Sequence, residues 1–128
     1  MAQYELRVDQ ERDLTEVTVT GKLDQQMIID ALEDFYGGRI TSRMLWDLSG
    51  ADLADVQSGQ ILRIISVAKR FAHLRPEGKT AILTSRAVDF GMARMYELTS
   101  EIENHPIQHR VFKDRDAALQ WLATVETD

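Results

Sequence analysis

Short apolar segments that suit β-strands alternate with longer helical segments along most of this chain, and this alternation constrains the fold most. Strand-like segments cover residues 44–48, 79–84 and 107–113, and each is followed by apolar residues at three- and four-residue spacing. Parallel strands that are joined through a helix follow a right-handed crossover within one sheet. The alternation therefore predicts a layered α/β fold.

The first 38 residues add a hairpin and a helix to this pattern. Apolar and polar residues alternate over residues 4–8 and again over 14–21, as in half-buried strands, and a polar turn separates the two segments. Asp24 is a suitable N-cap for a helix that ends at Gly37 and Gly38. An antiparallel hairpin is therefore expected at one edge of the sheet.

The complete order is β-β-α-β-α-β-α-β-α, which predicts a mixed five-stranded sheet packed with four helices. The second and third helices are expected at residues 60–75 and 87–103, and Asp114 or Asp116 is expected to cap the fourth. No repeat, low-complexity tract or linker interrupts the chain. Residues 1–128 are therefore expected to form a single domain.

Composition argues against several classes of function. The 128 residues include no cysteine, which rules out a disulfide framework, a thiol nucleophile and a thiolate metal site. The net charge of −6 argues against nucleic acid as a partner, because binding to the phosphate backbone needs a surplus of lysine and arginine. No uncharged apolar run approaches the roughly 20 residues that span a bilayer, so a soluble, cytoplasmic protein is expected.

The polar segment after the third strand holds several candidate side chains. Ser49 is expected to shape a turn with the glycine that follows it, and Asp55 or Ser58 to cap the second helix. Asp47, Asp52 and Asp55 lie near the end of this strand, where carboxylate oxygens suit a hard cation such as Mg²⁺. A solvated acidic loop is favoured over a cation site, because no phosphate-binding loop accompanies the three aspartates. No metal site is expected.

Catalytic motifs receive no support from the sequence. The histidines are His73, His105 and His109, and Pro106 argues against a shared helical face for the last two. The chain has no Gly-x-Ser-x-Gly nucleophile elbow, no Gly-x-Gly-x-x-Gly fingerprint and no Walker-type loop. Neither an enzyme nor a bound cofactor is therefore expected.

Two segments carry a resemblance to a known family. Asp47-Leu48-Ser49-Gly50 follows the hairpin and first helix and leads into a long helix, while the strand 110–114 is followed by the apolar segment 117–122. Together, in this order, they resemble the STAS family of anti-anti-sigma-factor domains. The resemblance is closest to the SpoIIAA-like, STAS/SEC14-type bacterial proteins and covers nearly the whole chain. It implies the mixed α/β sheet described above and a regulatory role without catalysis.

In regulatory STAS members, a kinase phosphorylates a serine at the start of the second helix. The corresponding segment here is 55–59, where alignment without a gap places that position on Gln57 and a one-residue insertion places it on Ser58. Glutamine accepts no phosphoryl group. The resemblance therefore leaves two alternatives, a phospho-switch at Ser58 or no switch, and the ordinary reading of Ser58 remains helix capping.

A candidate surface for a ligand or partner lies between the second and third helices. Methionine and aromatic side chains repack easily around apolar ligands, although such residues more often belong to the core. The residues of this candidate surface are Phe71, Phe90, Met92, Met95 and Tyr96. The second helix also carries basic residues opposite its apolar face, which are read as a solvated face in preference to a membrane contact. These residues are Arg63, Lys69, Arg70, His73 and Arg75.

These observations favour a regulatory or protein-interaction module that leaves its partner chemically unchanged. The alternative is a protein that binds an apolar small molecule or lipid in a helix-lined cleft, with peripheral contact to a membrane. The sequence leaves a homodimer open and does not name the partner.

Overall fold

A computed structural model describes residues 2–124 of the protein, which form five strands and four helices. The strands are β1 (Gln3–Asp9), β2 (Leu14–Lys22), β3 (Arg43–Asp52), β4 (Lys79–Leu83) and β5 (Gln108–Phe112). The helices are α1 (Gln25–Gly37), α2 (Ser58–Phe71), α3 (Ala87–Ile102) and α4 (Arg115–Ala123), and a 3₁₀ turn at Ala72–Leu74 follows α2. The predicted order of elements is confirmed.

The strands form one mixed sheet in the order β1-β2-β3-β4-β5. β1 pairs antiparallel with β2, and β2, β3, β4 and β5 run parallel to their neighbours. The hairpin at one edge and the parallel strands beyond it are therefore as predicted. No helix within residues 2–124 is long and apolar enough to cross a bilayer.

Helices cover both faces of the sheet, which explains why β3 is apolar on both sides. Met44 and Trp46 pack into the larger core, beneath α1, α2 and α3. Leu45 points to the opposite face, where it packs with Ala118 and Leu122 of α4. The alternating side chains of this one strand thus join two separate apolar cores.

The predicted turn at Ser49 and the following glycine is wrong, because β3 continues through them to Asp52. The pairing of β2 with β3 shifts register there: Thr18 lies opposite Asp47, whereas Thr20 lies opposite Gly50. β3 therefore contains one extra residue, and the irregularity is a β-bulge inside the strand. The strand reaches further towards the start of α2 than the sequence predicts.

Arg75 does not belong to the solvated basic face that the sequence predicts for the second helix. α2 ends at Phe71, and the Arg75 side chain is buried after the 3₁₀ turn. Its guanidinium donates to the carbonyl oxygens of Thr41, Ser42 and Lys79 and to Thr80 Oγ1, at 2.9–3.1 Å. Arg75 thus ties the end of α2 to the start of β3 and β4.

Candidate functional site

Asp47 and Ser49, two of the predicted loop residues, lie at the β-bulge of β3. The Asp47 carboxylate accepts hydrogen bonds from the backbone N–H of Ser49, at 3.0 Å, and from its hydroxyl. Ser85 donates from its hydroxyl to the Ser49 carbonyl oxygen at 3.0 Å. Arg115 lies 3.8 Å from the other oxygen of Asp47. Asp47 and Ser49 therefore stabilise the bulge and its contacts to α4 and to the segment after β4.

Asp52 and Asp55, which follow Asp47 along the chain, each bind a partner of their own. Asp52 accepts from the backbone N–H of Ala54, and this bond and the ion pair with Arg86 lower the pKa of its carboxyl. Asp55 forms an exposed ion pair with Lys22. Within residues 2–124 no group of three metal-binding side chains comes together. The cation site considered from the sequence has no geometric basis in this region.

Asp89 of α3 is a buried polar anchor that no sequence motif singles out. Its carboxylate accepts from the backbone N–H of Leu53 at 2.9 Å and from Arg86 Nε at 2.6 Å. The loop after β3 is thereby fixed to the first turn of α3. An acidic residue at the third position of a helix is a recognisable sequence signal of the first turn. Its hydrogen-bond partner Leu53, 36 residues away, cannot be recognised from the sequence.

The start of α2 corrects the expected role of Ser58. Gln57 is the N-cap residue, and it forms a reciprocal capping box with Gln60: the Gln57 backbone N–H donates to Gln60 Oε1 at 2.8 Å, and the Gln57 side chain accepts from the Gln60 backbone. Ser58 is the first helical residue, exposed, and does not cap. Its hydroxyl is therefore accessible and is not needed to complete the helix.

The exposed side of α2 continues from Ser58 into a shallow groove against α1. Ser58, Leu62 and Ser66 recur at four-residue spacing and so lie on one side of the helix. The groove, which we call the α1–α2 groove, is lined by Gln25, Gln26, Ile29, Leu62, Arg63, Ser66, Val67 and Arg70. Both charged residues that line it are arginines. The groove thus combines apolar and positively charged surface.

The five residues of the predicted ligand or partner surface separate in the structure. Phe71 stacks on Tyr36 at 5.0 Å between ring centroids, at the edge of the larger core. Phe90 is half-buried with Lys113 Nζ 4.7 Å above its ring. Met92 and Tyr96 line an internal cavity, whereas Met95 is exposed on the other side of α3. The sequence therefore grouped residues that belong to different surfaces.

The cavity of about 90 Å³ lies between the sheet and the three helices α1, α2 and α3. Its wall is mainly aliphatic and includes Ile28 and Ile64, with tyrosine and histidine side chains on the side near β5. A cavity of about 150 Å³ holds one benzene molecule, so by proportion this one admits a group of roughly four carbon atoms.

His105 and His109 are two of the polar side chains in the cavity wall, which also includes Arg75 and Thr80. The backbone N–H of Ile107 donates to His105 Nδ1 at 3.1 Å, which leaves the ring proton of neutral His105 on Nε2. That atom is buried and has no hydrogen-bond partner among residues 2–124. Burial lowers the pKa of His105 to about 4 and that of His109 to about 3, with nearby positive charge adding to both shifts. Both rings are therefore neutral at pH 7.

The outer side of α3 carries several exposed apolar side chains. The residues of α3 that are buried are Asp89, Ala93, Glu97 and Ser100. The large apolar side chains that are exposed instead are Val88, Met95, Leu98 and Ile102. Of these four residues, only Met95 was part of the surface predicted from the sequence. Periodicity shows which residues share a side of a helix, but not which side meets the sheet.

Comparison with known proteins shows the fold of the chain but not its sequence family. No family model matches the chain, and no curated protein matches its sequence. The structure is similar to that of an uncharacterized DUF3478-family protein from Shewanella loihica PV-4, which is described as SpoIIAA-like. Their TM-score is 0.59 and their sequence identity 17%, over 94% of this chain and 93% of the other.

Two anti-sigma factor antagonists have similar structures. The one from Mycobacterium paratuberculosis has a TM-score of 0.57 at 17% identity, over 97% of this chain and 96% of its own. SpoIIAA in its unphosphorylated form has a TM-score of 0.52 at 12% identity, over 96% and 100% of the two chains. The sheet order, the antiparallel hairpin and these similarities agree, and the chain has a SpoIIAA-like fold.

Proposed function

We propose that this protein is a non-catalytic regulatory module that recognises another protein through the exposed side of α2. The observation that carries the proposal is the position of Ser58, which is accessible, does not cap the helix and lies next to the α1–α2 groove. Two proteins of the same fold are anti-sigma factor antagonists, which supports a protein partner.

The chemistry of the groove indicates the kind of partner that it fits. Leu62 is 45% exposed and offers an apolar contact at its centre, while Arg63 and Arg70 provide positive charge. An acidic protein surface with an apolar side chain at its centre complements this combination. Buried apolar area supplies affinity in such a contact, and the arginines supply orientation and a faster association.

Phosphorylation of Ser58 provides the regulation in this proposal. A phosphoryl group adds nearly two negative charges at the first turn of α2, on the side that carries Leu62. It reduces the attraction that Arg63 and Arg70 exert on an acidic partner. The helix itself tolerates the modification, because negative charge is favourable at a helix N-terminus. The switch therefore changes recognition without unfolding the helix.

Affinity capture from an extract of the native cells tests the proposal. The wild-type protein is used as bait beside Leu62→Glu and the control Leu74→Glu, which replaces an equally exposed leucine outside the groove. We expect the same partner on wild type and on Leu74→Glu, and its loss from Leu62→Glu. A partner retained by all three baits, or none on wild type, would contradict the proposal.

The cavity supports a second candidate function, the binding of a small apolar molecule. Its wall offers aliphatic contacts together with the buried Nε2–H group of His105, which has no protein acceptor within residues 2–124. A ligand with a short apolar end and one hydrogen-bond acceptor complements both features. Native mass spectrometry of gently purified protein tests this candidate.

The expected spectrum shows a bound small molecule that is displaced from the variant Ala68→Leu, in which added methyl groups fill the cavity. Ser66→Leu on the exposed side of the same helix is the control and should retain the molecule. Wild-type protein that is purified gently from its native cells and carries no bound molecule would contradict this second function.

A further inference from the structure

The outer side of α3 carries an apolar stripe with the spacing of a coiled-coil seam. Val88, Gly91, Met95, Leu98 and Ile102 follow one another at intervals of three, four, three and four residues, which are the a and d positions of a heptad. All five residues are exposed. We call this surface the α3 stripe.

The α3 stripe is a concentration of exposed apolar surface and not a scatter of single residues. Val88 is 54% exposed, Met95 41%, Leu98 44% and Ile102 76%. Four of the seven exposed large apolar side chains in residues 2–124 thus lie on one side of one helix. Isolated exposed apolar residues are ordinary, whereas a contiguous row of them on a soluble domain marks an interaction site.

We propose that the α3 stripe binds a second copy of this chain, with the two α3 helices antiparallel. The charges beside the stripe argue for this occupant. Arg94 and Glu101 are both exposed and are seven residues apart, so each occupies the g position of its heptad. Antiparallel helices bring g positions together. Arg94 pairs with Glu97 of its own helix at 2.6 Å and, in the dimer, lies opposite Glu101 of the other copy, so that each Glu101 gains a positive neighbour.

The same alignment makes the apolar positions complementary. With Arg94 opposite Glu101, Met95 of one copy meets Leu98 of the other, and Ile102 reaches the layer that contains Gly91. Apart from the two neighbouring residues and the backbone of its own helix, no atom lies within 4 Å of the place where a Gly91 side chain would begin, so this end of the stripe has open space. The bulky end of one helix thus packs against the small end of the other.

The size of the stripe sets the strength of the contact. A helix of 16 residues is about 24 Å long. A strip of that length and roughly 12 Å wide buries only about 300 Å² per copy, against about 800 Å² per partner in a standard interface. The dimer is therefore weak and dissociates on dilution. The dimer contact lies on α3, whereas the α1–α2 groove lies on α1 and α2. A failure of the dimer proposal would therefore leave the proposed function unaffected.

Sedimentation velocity over a range from about 10 μM to 1 mM tests the dimer. We expect the wild-type sedimentation coefficient to rise with concentration, and Leu98→Glu to remain monomeric throughout. Leu62→Glu introduces the same change at an equally exposed leucine outside the stripe and should behave as wild type. Glu101→Arg should weaken the dimer at least tenfold, whereas Glu33→Arg, an exposed charge reversal on α1, should not.

A distance measurement tests the antiparallel arrangement. The natural chain has no cysteine, so Ala87→Cys carries a single spin label at the exposed start of α3. Antiparallel pairing about the middle of the stripe separates the two labels by about 30 Å, at 1.5 Å per residue, whereas parallel pairing separates them by about 10 Å. A 30 Å distance that is lost in the Leu98→Glu background supports the proposal. A 10 Å distance, or a wild type that stays monomeric at 1 mM, overturns it.

Discussion

At the scale of single residues, Gln57 and Ser58 are neighbours with separate roles. Gln57 caps α2 through its capping box, whereas the Ser58 hydroxyl is exposed. Gln57→Ala should therefore lower the free energy of unfolding by about 1 kcal/mol, while Ser58→Ala should change it by less than about 0.5 kcal/mol. Urea unfolding of the two variants measures both effects. A larger loss from Ser58→Ala than from Gln57→Ala would show that Ser58 is the cap.

Arg75 is the residue whose removal should damage the fold most. Its guanidinium supplies hydrogen bonds to four acceptors around the start of β3 and β4, and a leucine leaves those acceptors without donors. We expect Arg75→Leu to lower the free energy of unfolding by about 3–5 kcal/mol. Arg63→Leu, on the exposed side of α2, should change it by less than about 0.5 kcal/mol. Equal effects in chemical denaturation would refute the structural role of Arg75.

The two cavity histidines make stability depend on pH. The pKa of His105 is about 4 and that of His109 about 3 in the folded protein, whereas an unfolded histidine has a pKa near 6.5. The unfolded chain therefore binds more protons below pH 6.5. Stability falls as the pH decreases from about 6.5 towards 4, by at most about 1.4 kcal/mol per pH unit for each histidine.

The control for this pH dependence is the double variant His105→Gln, His109→Gln. Denaturant unfolding between pH 7 and pH 5 should show a smaller loss of stability on acidification in the variant than in wild type. The carboxylates are the same in both proteins, so their titration cancels in the comparison. Indistinguishable slopes would mean that the two rings are already accessible to water and protonate freely.

At the scale of elements, the Asp89 carboxylate fixes the first turn of α3 to the loop after β3. The Asp89 carboxylate accepts from the Leu53 backbone N–H and from Arg86. Asp89→Ala leaves the Leu53 N–H without its partner, and we expect a loss of about 2–3 kcal/mol in stability. Hydrogen exchange of the Leu53 amide should accelerate in this variant and remain unchanged in Asp55→Ala. Unaltered protection of Leu53 would contradict the anchor.

The elements also show where sequence reasoning succeeds and where it stops. Asp24 was identified as the cap of α1 because an aspartate before an apolar helical pattern is a strong signal, and its side chain does accept from Gln26. The start of α2 was misplaced, because glutamine is a weak capping residue and Ser58 is a conventional one. Met95 was grouped with Met92 and Tyr96, although it lies on the opposite side of α3, because both sides of this helix carry apolar residues and helical periodicity does not distinguish them.

At the scale of the whole molecule, the sheet was predictable and the cavity was not. Alternation of strands with helices, together with the handedness of crossovers, fixes parallel pairing without knowledge of any contact. The cavity depends on how the side chains of three helices and three strands fit together, including His105 and His109 from the region around β5. No local pattern encodes such a fit, and the same holds for Arg75, whose acceptors lie in the loop before β3 and in β4.

The most direct test of regulation through Ser58 is a phosphorylation map of the protein isolated from its native cells at several growth stages. We expect a fraction of the chains to carry one phosphoryl group on Ser58, and that fraction to lack the bound protein partner. A phosphoryl group on another residue, none at any stage, or equal partner binding by both forms would contradict this function.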